Sequence, residues 1–107
     1  MPQRLRFEII FDRAVSAHFA SIDRKDGTLI LDAIEDKLGF EPTVPTRNRK
    51  ALRIPNMLNA SWELRCGANN RYRVFYDVDV DAQIVVVLAI GRKMRSSLWI
   101  GNEEFSL

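Results

Sequence analysis

Apolar and polar positions alternate over residues 5–11. Leu5, Phe7, Ile9 and Phe11 fall on one side, with Arg6 and Glu8 on the other, which predicts a half-buried strand. Asp12 follows with a short carboxylate suited to the free amides of a first helical turn. Val15, Phe19 and Ile22 then recur at spacings of four and three, the stripe of an amphipathic helix running to about Arg24. The stretch DRKDG, residues 23–27, is expected to break it. A second helix is expected from about Thr28 to Leu38, where Ile30, Ile34 and Leu38 recur every four residues and Gly39 stands ready as a C-terminal cap.

Pro42 and Pro45 then stiffen an extended connector. KALRI reads as a short strand, and IPNMLNA, with Pro55, as a loop. In SWELRC, Trp62, Leu64 and Cys66 alternate with Ser61, Glu63 and Arg65, a second clear strand. GANN is a turn, because Gly67, Asn69 and Asn70 tolerate left-handed backbone. RYRVFYDV places Tyr72, Val74, Tyr76 and Val78 on one side, and Arg71, Arg73, Phe75 and Asp77 on the other. After the turn DVDAQ comes IVVVLAI. It is β-branched with no polar face, and so predicts a central strand covered on both sides. GRKMRSS leaves that strand, and NEEFSL reads as a frayed last turn. The order is β–α–α–β–β–β with one additional short strand, an α+β layer in which a helical hairpin covers one face of a meander.

Length and composition narrow the class. The 107 residues suit one domain spanning 1–107. The longest apolar run has seven residues, far short of a bilayer span, and the first ten contain no secretory h-region. A single cysteine, Cys66, and a single histidine, His18, cannot build a zinc centre or an internal disulfide. No cofactor or metal is expected, and the reducing cytoplasm is the expected compartment. Net charge is only +2, but it is unevenly spread. Residues 1–46 hold six bases and eight acids, whereas residues 47–95 hold ten bases and four acids. An acid-leaning half joined to a basic half points to a face for an anionic partner.

Three basic stretches define that candidate face. Arg47, Arg49, Lys50 and Arg53 crowd the connector; Arg65, Arg71 and Arg73 flank the GANN turn beside Glu63; Arg92, Lys93 and Arg95 follow the central strand. Arginine forks suit phosphate, and Trp99 just beyond could stack an unpaired base. Each has a plainer explanation. Glu63 is equally explained by a salt bridge to Arg65, Arg71 or Arg73, and Trp99 by a place at the core edge. His18 reads as a helix-boundary residue, Cys66 as a small core residue, and Tyr72 and Tyr76 as core with wet tips.

FDRAVSAHFASI, RYRVFYDVD and VVVLAIGRK together resemble the RelE/ParE superfamily of toxins from toxin–antitoxin pairs. The resemblance runs through most of the chain and is strongest over residues 71–93. It implies the RelE-like α+β fold: N-terminal strand, helical hairpin, then antiparallel meander, with the helices on one face of a small twisted sheet. It also implies a cytoplasmic toxin with a cognate antitoxin and no cofactor.

Two activities come with the resemblance. RelE-like members cleave mRNA on the ribosome without a metal, by attack of a 2′-hydroxyl on the adjacent phosphate; ParE-like members inhibit DNA gyrase. A third possibility implied is an inactive, antitoxin-binding relative. Carried onto this chain, Arg73 matches the arginine at the scissile phosphate, and Lys93 the group that protonates the leaving oxygen. Glu63 or Lys50 stands as the base. Arg49, Lys50, Arg65, Arg71 and Arg92 would hold RNA phosphates, and Trp99 falls where a stacking aromatic is found. The chain departs from RelE proper at Ser61 and Glu63, where that protein has two lysines.

Overall fold

The computed structural model describes residues 6–106, so Leu5 of the first predicted strand lies outside the described residues. The chain opens with β1 (Glu8–Phe11), α1 (Val15–Ala20) and α2 (Arg24–Leu38), followed by β2 (Arg49–Ala51), β3 (Trp62–Cys66), β4 (Tyr72–Asp79), β5 (Ile84–Met94), β6 (Ser97–Ile100) and β7 (Glu103–Ser106). The strands form one sheet in the order β2-β3-β4-β5-β6-β7. β1 runs parallel to β5 beside Ile84–Val87, and β6 runs antiparallel beside Gly91–Met94, so the two share one flank of β5. β5 is therefore central, as its lack of a polar face required.

DRKDG does not break the helices; it begins the second one. The Asp23 carboxylate accepts the Lys25 amide at 2.9 Å and caps α2 from its N-terminal end. The connection between the helices is thereby only residues 21–23. Gly27 lies inside α2 facing α1, where a Cβ would make an ordinary contact with Phe19 Cδ1 at 3.6 Å. Gly39 ends α2 as expected but with ordinary helical backbone, φ −68°. At the start of α1, Asp12 Oδ1 accepts the Ala14 amide at 3.0 Å.

The helices bury Val15, Ile30, Ile34 and Leu38 against Leu64, Tyr72, Val74, Tyr76, Val85, Val87 and Ile90. We call this the helical face. Tyr76 is fully buried and donates its hydroxyl to the Pro42 carbonyl at 2.6 Å, which ties the proline connector to the core. The opposite face has its own smaller core of Ala60, Phe75, Ala89, Leu98 and Ile100, roofed by Leu52, Leu58 and Phe105.

Leu98, Ile100 and Phe105 come from a C-terminal hairpin that replaces the expected frayed turn. Gly101 and Asn102 form its two-residue turn, with Gly101 at φ +64°, between Ile100 and Glu103 of the paired strands. A second irregularity decides the position of the functional residues. Phe75 pairs with Ala89 but Tyr76 pairs with Val87, so Leu88 is an extra residue in β5. This bulge switches the sidedness of everything after it. Val85 and Val87 face the helices, and beyond the bulge so do Ile90 and Arg92, leaving Gly91 and Lys93 on the opposite face.

Candidate functional site

The face away from the helices gathers part of the expected constellation. Lys50 of β2 pairs with Glu63 of β3, and Arg65 of β3 pairs with Arg73 of β4. Directly paired residues project to the same side, so all four meet. Glu63 is their centre. Its Oε2 accepts from Arg65 Nε at 3.1 Å and lies 3.9 Å from Lys50 Nζ, and its Oε1 lies 3.8 Å from Arg73 Nε. Gly91 pairs with Arg73, and Lys93, two residues on, projects to the same face one diagonal step away. The cluster itself holds one carboxylate among four cations.

The five side chains differ in access. Lys50 and Lys93 are exposed, whereas Glu63 and Arg73 are buried, at 8% and 7% exposure. The Arg73 guanidinium donates to the Asn70 carbonyl, which is presented by the left-handed backbone of the turn before β4. Burial holds the Arg73 pKa below the usual guanidinium range, the charge of Arg65 adds to that, and Glu63 works against it. The group nevertheless remains a cation at any working pH. Beside this cluster an apolar cleft of about 320 Å³ opens between the 52–58 loop, Phe75 and the C-terminal hairpin, with Arg53 at its rim.

The remaining sequence-derived candidates lie elsewhere. Arg49 is one residue from Lys50, and strand alternation turns it to the helical face. There it is buried, donating Nε to Val44 O and Nη1 to Lys37 O, both at 2.6 Å. It thus closes the carbonyl end of α2 rather than facing solvent. Arg71 precedes β4 with helical backbone (φ −71°, ψ −20°), so the alternation of β4 does not extend to it, and its guanidinium lies over the Tyr72 ring at 5.9 Å. Arg92 pairs with Tyr72 on one side and Trp99 on the other, which puts Arg92 and Trp99 on the helical face. The Leu88 bulge accounts for that placement, and nothing in the spacing of VVVLAIGRK announces it. Tyr72 donates its hydroxyl to Asp26 Oδ2 at 2.5 Å, and its pKa is raised by burial and by that bond.

Cys66 packs at the edge of the helical core, and burial pushes its thiol up to about 11, as suits a packing residue. The sequence marks Asn70 only as a turn residue; in the structure its carbonyl holds Arg73 and its side-chain amide reaches Asn48 Oδ1 at 3.4 Å. The signal available was the pair Asn69–Asn70, both at positive φ, directly before the arginine strand.

The strand, helical hairpin and antiparallel sheet are the RelE-like α+β fold. The family described as the ParE toxin of type II toxin–antitoxin systems, parDE, matches residues 9–96, and the chain belongs to that family. Among solved structures, the toxin–antitoxin complex RelBE2 from Mycobacterium tuberculosis contains a similar chain, with a TM-score of 0.69 and 19% identity over 87% of this chain and 98% of that one. At that identity the likeness is one of fold. No curated protein matches the chain.

Proposed function

We propose that this toxin is a metal-independent endoribonuclease that cuts mRNA on the ribosome and is held in check by a cognate antitoxin. The observation that carries the reading is the grouping of Glu63, Arg73, Lys50 and Arg65 on one sheet face with Lys93 beside them. Cleavage by a neighbouring 2′-hydroxyl needs three things at one phosphate: a base for the hydroxyl proton, cations for the extra charge of the pentacoordinate phosphorus, and an acid for the departing 5′-oxygen.

Glu63 or Lys50 takes the hydroxyl proton. The new bond forms between that oxygen and phosphorus. Arg73 and Arg65 stabilise the added negative charge with donors already fixed in place, Arg73 by the Asn70 carbonyl. Lys93, exposed at the end of β5, gives a proton to the 5′-oxygen as its bond to phosphorus breaks. The products are a 2′,3′-cyclic phosphate and a 5′-hydroxyl end. Entry of a phosphate would draw the guanidinium of Arg65 or the ammonium of Lys50 from Glu63, freeing the carboxylate to act as base.

The experiment is expression of the toxin followed by mapping of transcript ends. New 5′-hydroxyl ends inside translated frames support the reading, and growth arrest with transcripts intact overturns it. A second reading, inhibition of DNA gyrase without cleavage, is favoured by the match to the ParE family. It predicts loss of gyrase supercoiling with purified protein while RNA stays whole.

A further inference from the structure

A second cationic recess lies around the sheet edge from the Glu63 cluster. It is a cleft of about 400 Å³ where the C-terminal part of α2, the 46–49 connector, the end of β3 and the turn before β4 converge. Lys37, Arg47, Asn48, Arg65 and Asn70 line it, and among the described residues no aspartate or glutamate does. Ala33 and Cys66 give it an apolar floor. Arg47 is exposed and has no ion pair among the described residues, which leaves its fork free for a ligand. Among the described residues the Lys37 ammonium is engaged only by its chain neighbour Asp36, at 3.4 Å and with both side chains well exposed, an attachment worth little.

Arg65 belongs to both places: it bonds Glu63 and also lines this cleft. Lys50, Arg65, Arg47 and Lys37 therefore form a track from the open sheet face round the β2–β3 edge to the helix. A chain of regularly spaced charges suits such a track better than a single carboxylate does, and the guanidinium forks suit tetrahedral phosphate. The apolar floor suits a sugar or base edge.

We propose that this cleft binds a phosphate group of a single-stranded nucleic acid, one removed from the phosphate at Glu63. The inference rests on the reading that a strand crosses the Glu63 face, and it is tested by binding rather than by cleavage. The probe is a 2′-deoxy twelve-nucleotide strand, which cannot be cut by 2′-hydroxyl attack, titrated by fluorescence anisotropy over a range of salt concentrations. Arg47→Ala and Lys37→Ala are each expected to weaken binding about three- to tenfold at low salt. Each should also reduce the slope of log affinity against log salt by about 0.7, the loss of one phosphate contact. Arg47→Lys should keep the slope. Arg24→Ala, on the helical hairpin away from the cleft, should bind as the parent does.

Both side chains are exposed, so these variants fold; thermal unfolding verifies it. Parent-like affinity and slope in Arg47→Ala and Lys37→Ala overturn the cleft while leaving the Glu63 reading intact; an absence of oligonucleotide binding by the parent overturns the cleft as well. Loss of affinity for a polyglutamate peptide in these variants, with oligonucleotide binding unchanged, also overturns it and assigns the cleft to a carboxylate partner. Loss of cleavage in Glu63→Gln with oligonucleotide binding retained, together with weakened binding in Arg47→Ala and Lys37→Ala, supports both sites separately.

Discussion

Glu63 Oε1 and Arg73 Nε stand 3.8 Å apart on neighbouring strands, with side-chain exposures of 10% and 9%. A buried pair of this kind is asymmetric in its consequences. Removing one member leaves the other charged in a poorly solvated place, at a cost of about 3 kcal/mol or more. Glu63→Gln keeps the shape and hydrogen-bonding capacity of the site but removes its negative charge and its ability to take a proton. It should lower the rate of RNA cleavage by about a hundredfold or more. Arg73→Ala should abolish cleavage and also lower the urea midpoint, because Glu63 keeps only Lys50 and Arg65 as partners. Mapping of transcript ends beside equilibrium unfolding separates the two effects. Full toxicity of Glu63→Gln with RNA cleavage unchanged would remove the carboxylate from the mechanism.

Strand alternation turns Lys93 and Arg92 to opposite faces, and the bulge at Leu88 decides which takes which. Lys93 shares the face of Arg73; Arg92 faces the other way, between Tyr72 and Trp99. Lys93→Ala should therefore lower the cleavage rate by about tenfold to a hundredfold by removing the leaving-group acid. Arg92→Ala and Trp99→Ala should leave the rate within about twofold of the parent. Single-turnover cleavage of a ribosome-bound message measures all three. The reverse ranking would mean that the strand lies on the helical face.

Arg49 holds the end of α2 and the proline connector together through two hydrogen bonds from one guanidinium. Charged donors to main-chain carbonyls contribute about 1.5–3 kcal/mol each. Arg49→Met, which keeps the stem and loses the fork, is expected to cost about 3 kcal/mol in urea unfolding, with no direct effect on the phosphate site. Arg49→Lys should recover less than half of that, since one ammonium on a flexible stem does not span both carbonyls with the same geometry. A destabilisation below about 0.5 kcal/mol for Arg49→Met would show that the fork is dispensable.

These residues also mark how far the fold and the site could be read from the chain. Periodicity was enough for the strand–hairpin–meander order and for the inward sides of β3 and β4, where Leu64, Val74 and Tyr76 alternate cleanly. Periodicity also placed Glu63, Arg65 and Arg73 together, because direct cross-strand pairing at a tight turn follows from local pattern. It failed where sidedness depended on a non-local event. The Leu88 bulge lies where the other flank of β5 passes from β1 to β6, and no short stretch records that. Arg49 failed for a different reason. A cation beside two prolines reads as solvated until the helix that needs capping is folded against it. The C-terminal hairpin was legible: Gly101-Asn102 between SLWI and EEFS is a two-residue turn signal, and reading NEEFSL as a unit hid it.

His18 is the chain's one histidine, and its Nδ1 accepts the amide of Ile90 at 3.2 Å. That amide lies on β5 between the stretch paired with β1 and the stretch paired with β6, so no strand is there to take it. Ile90 is buried, and an unsatisfied amide in that place costs about 1–3 kcal/mol. Only the neutral imidazole can accept. Burial accordingly lowers the His18 pKa from 6.5, with Asp12 opposing the shift. The unfolded chain takes up this proton at a higher pH than the folded chain does. The stabilisation is thus fully present above about pH 6.5 and is lost as the pH falls from there through the lowered folded value. His18→Asn carries an oxygen that can accept the same amide at every pH. The stability of the parent relative to His18→Asn should therefore fall between pH 7.5 and pH 5.5, while the carboxylates that titrate in both proteins cancel. Urea unfolding of the two proteins at the two pH values gives that difference directly; an unchanged difference would show that the Ile90 amide does not depend on the imidazole.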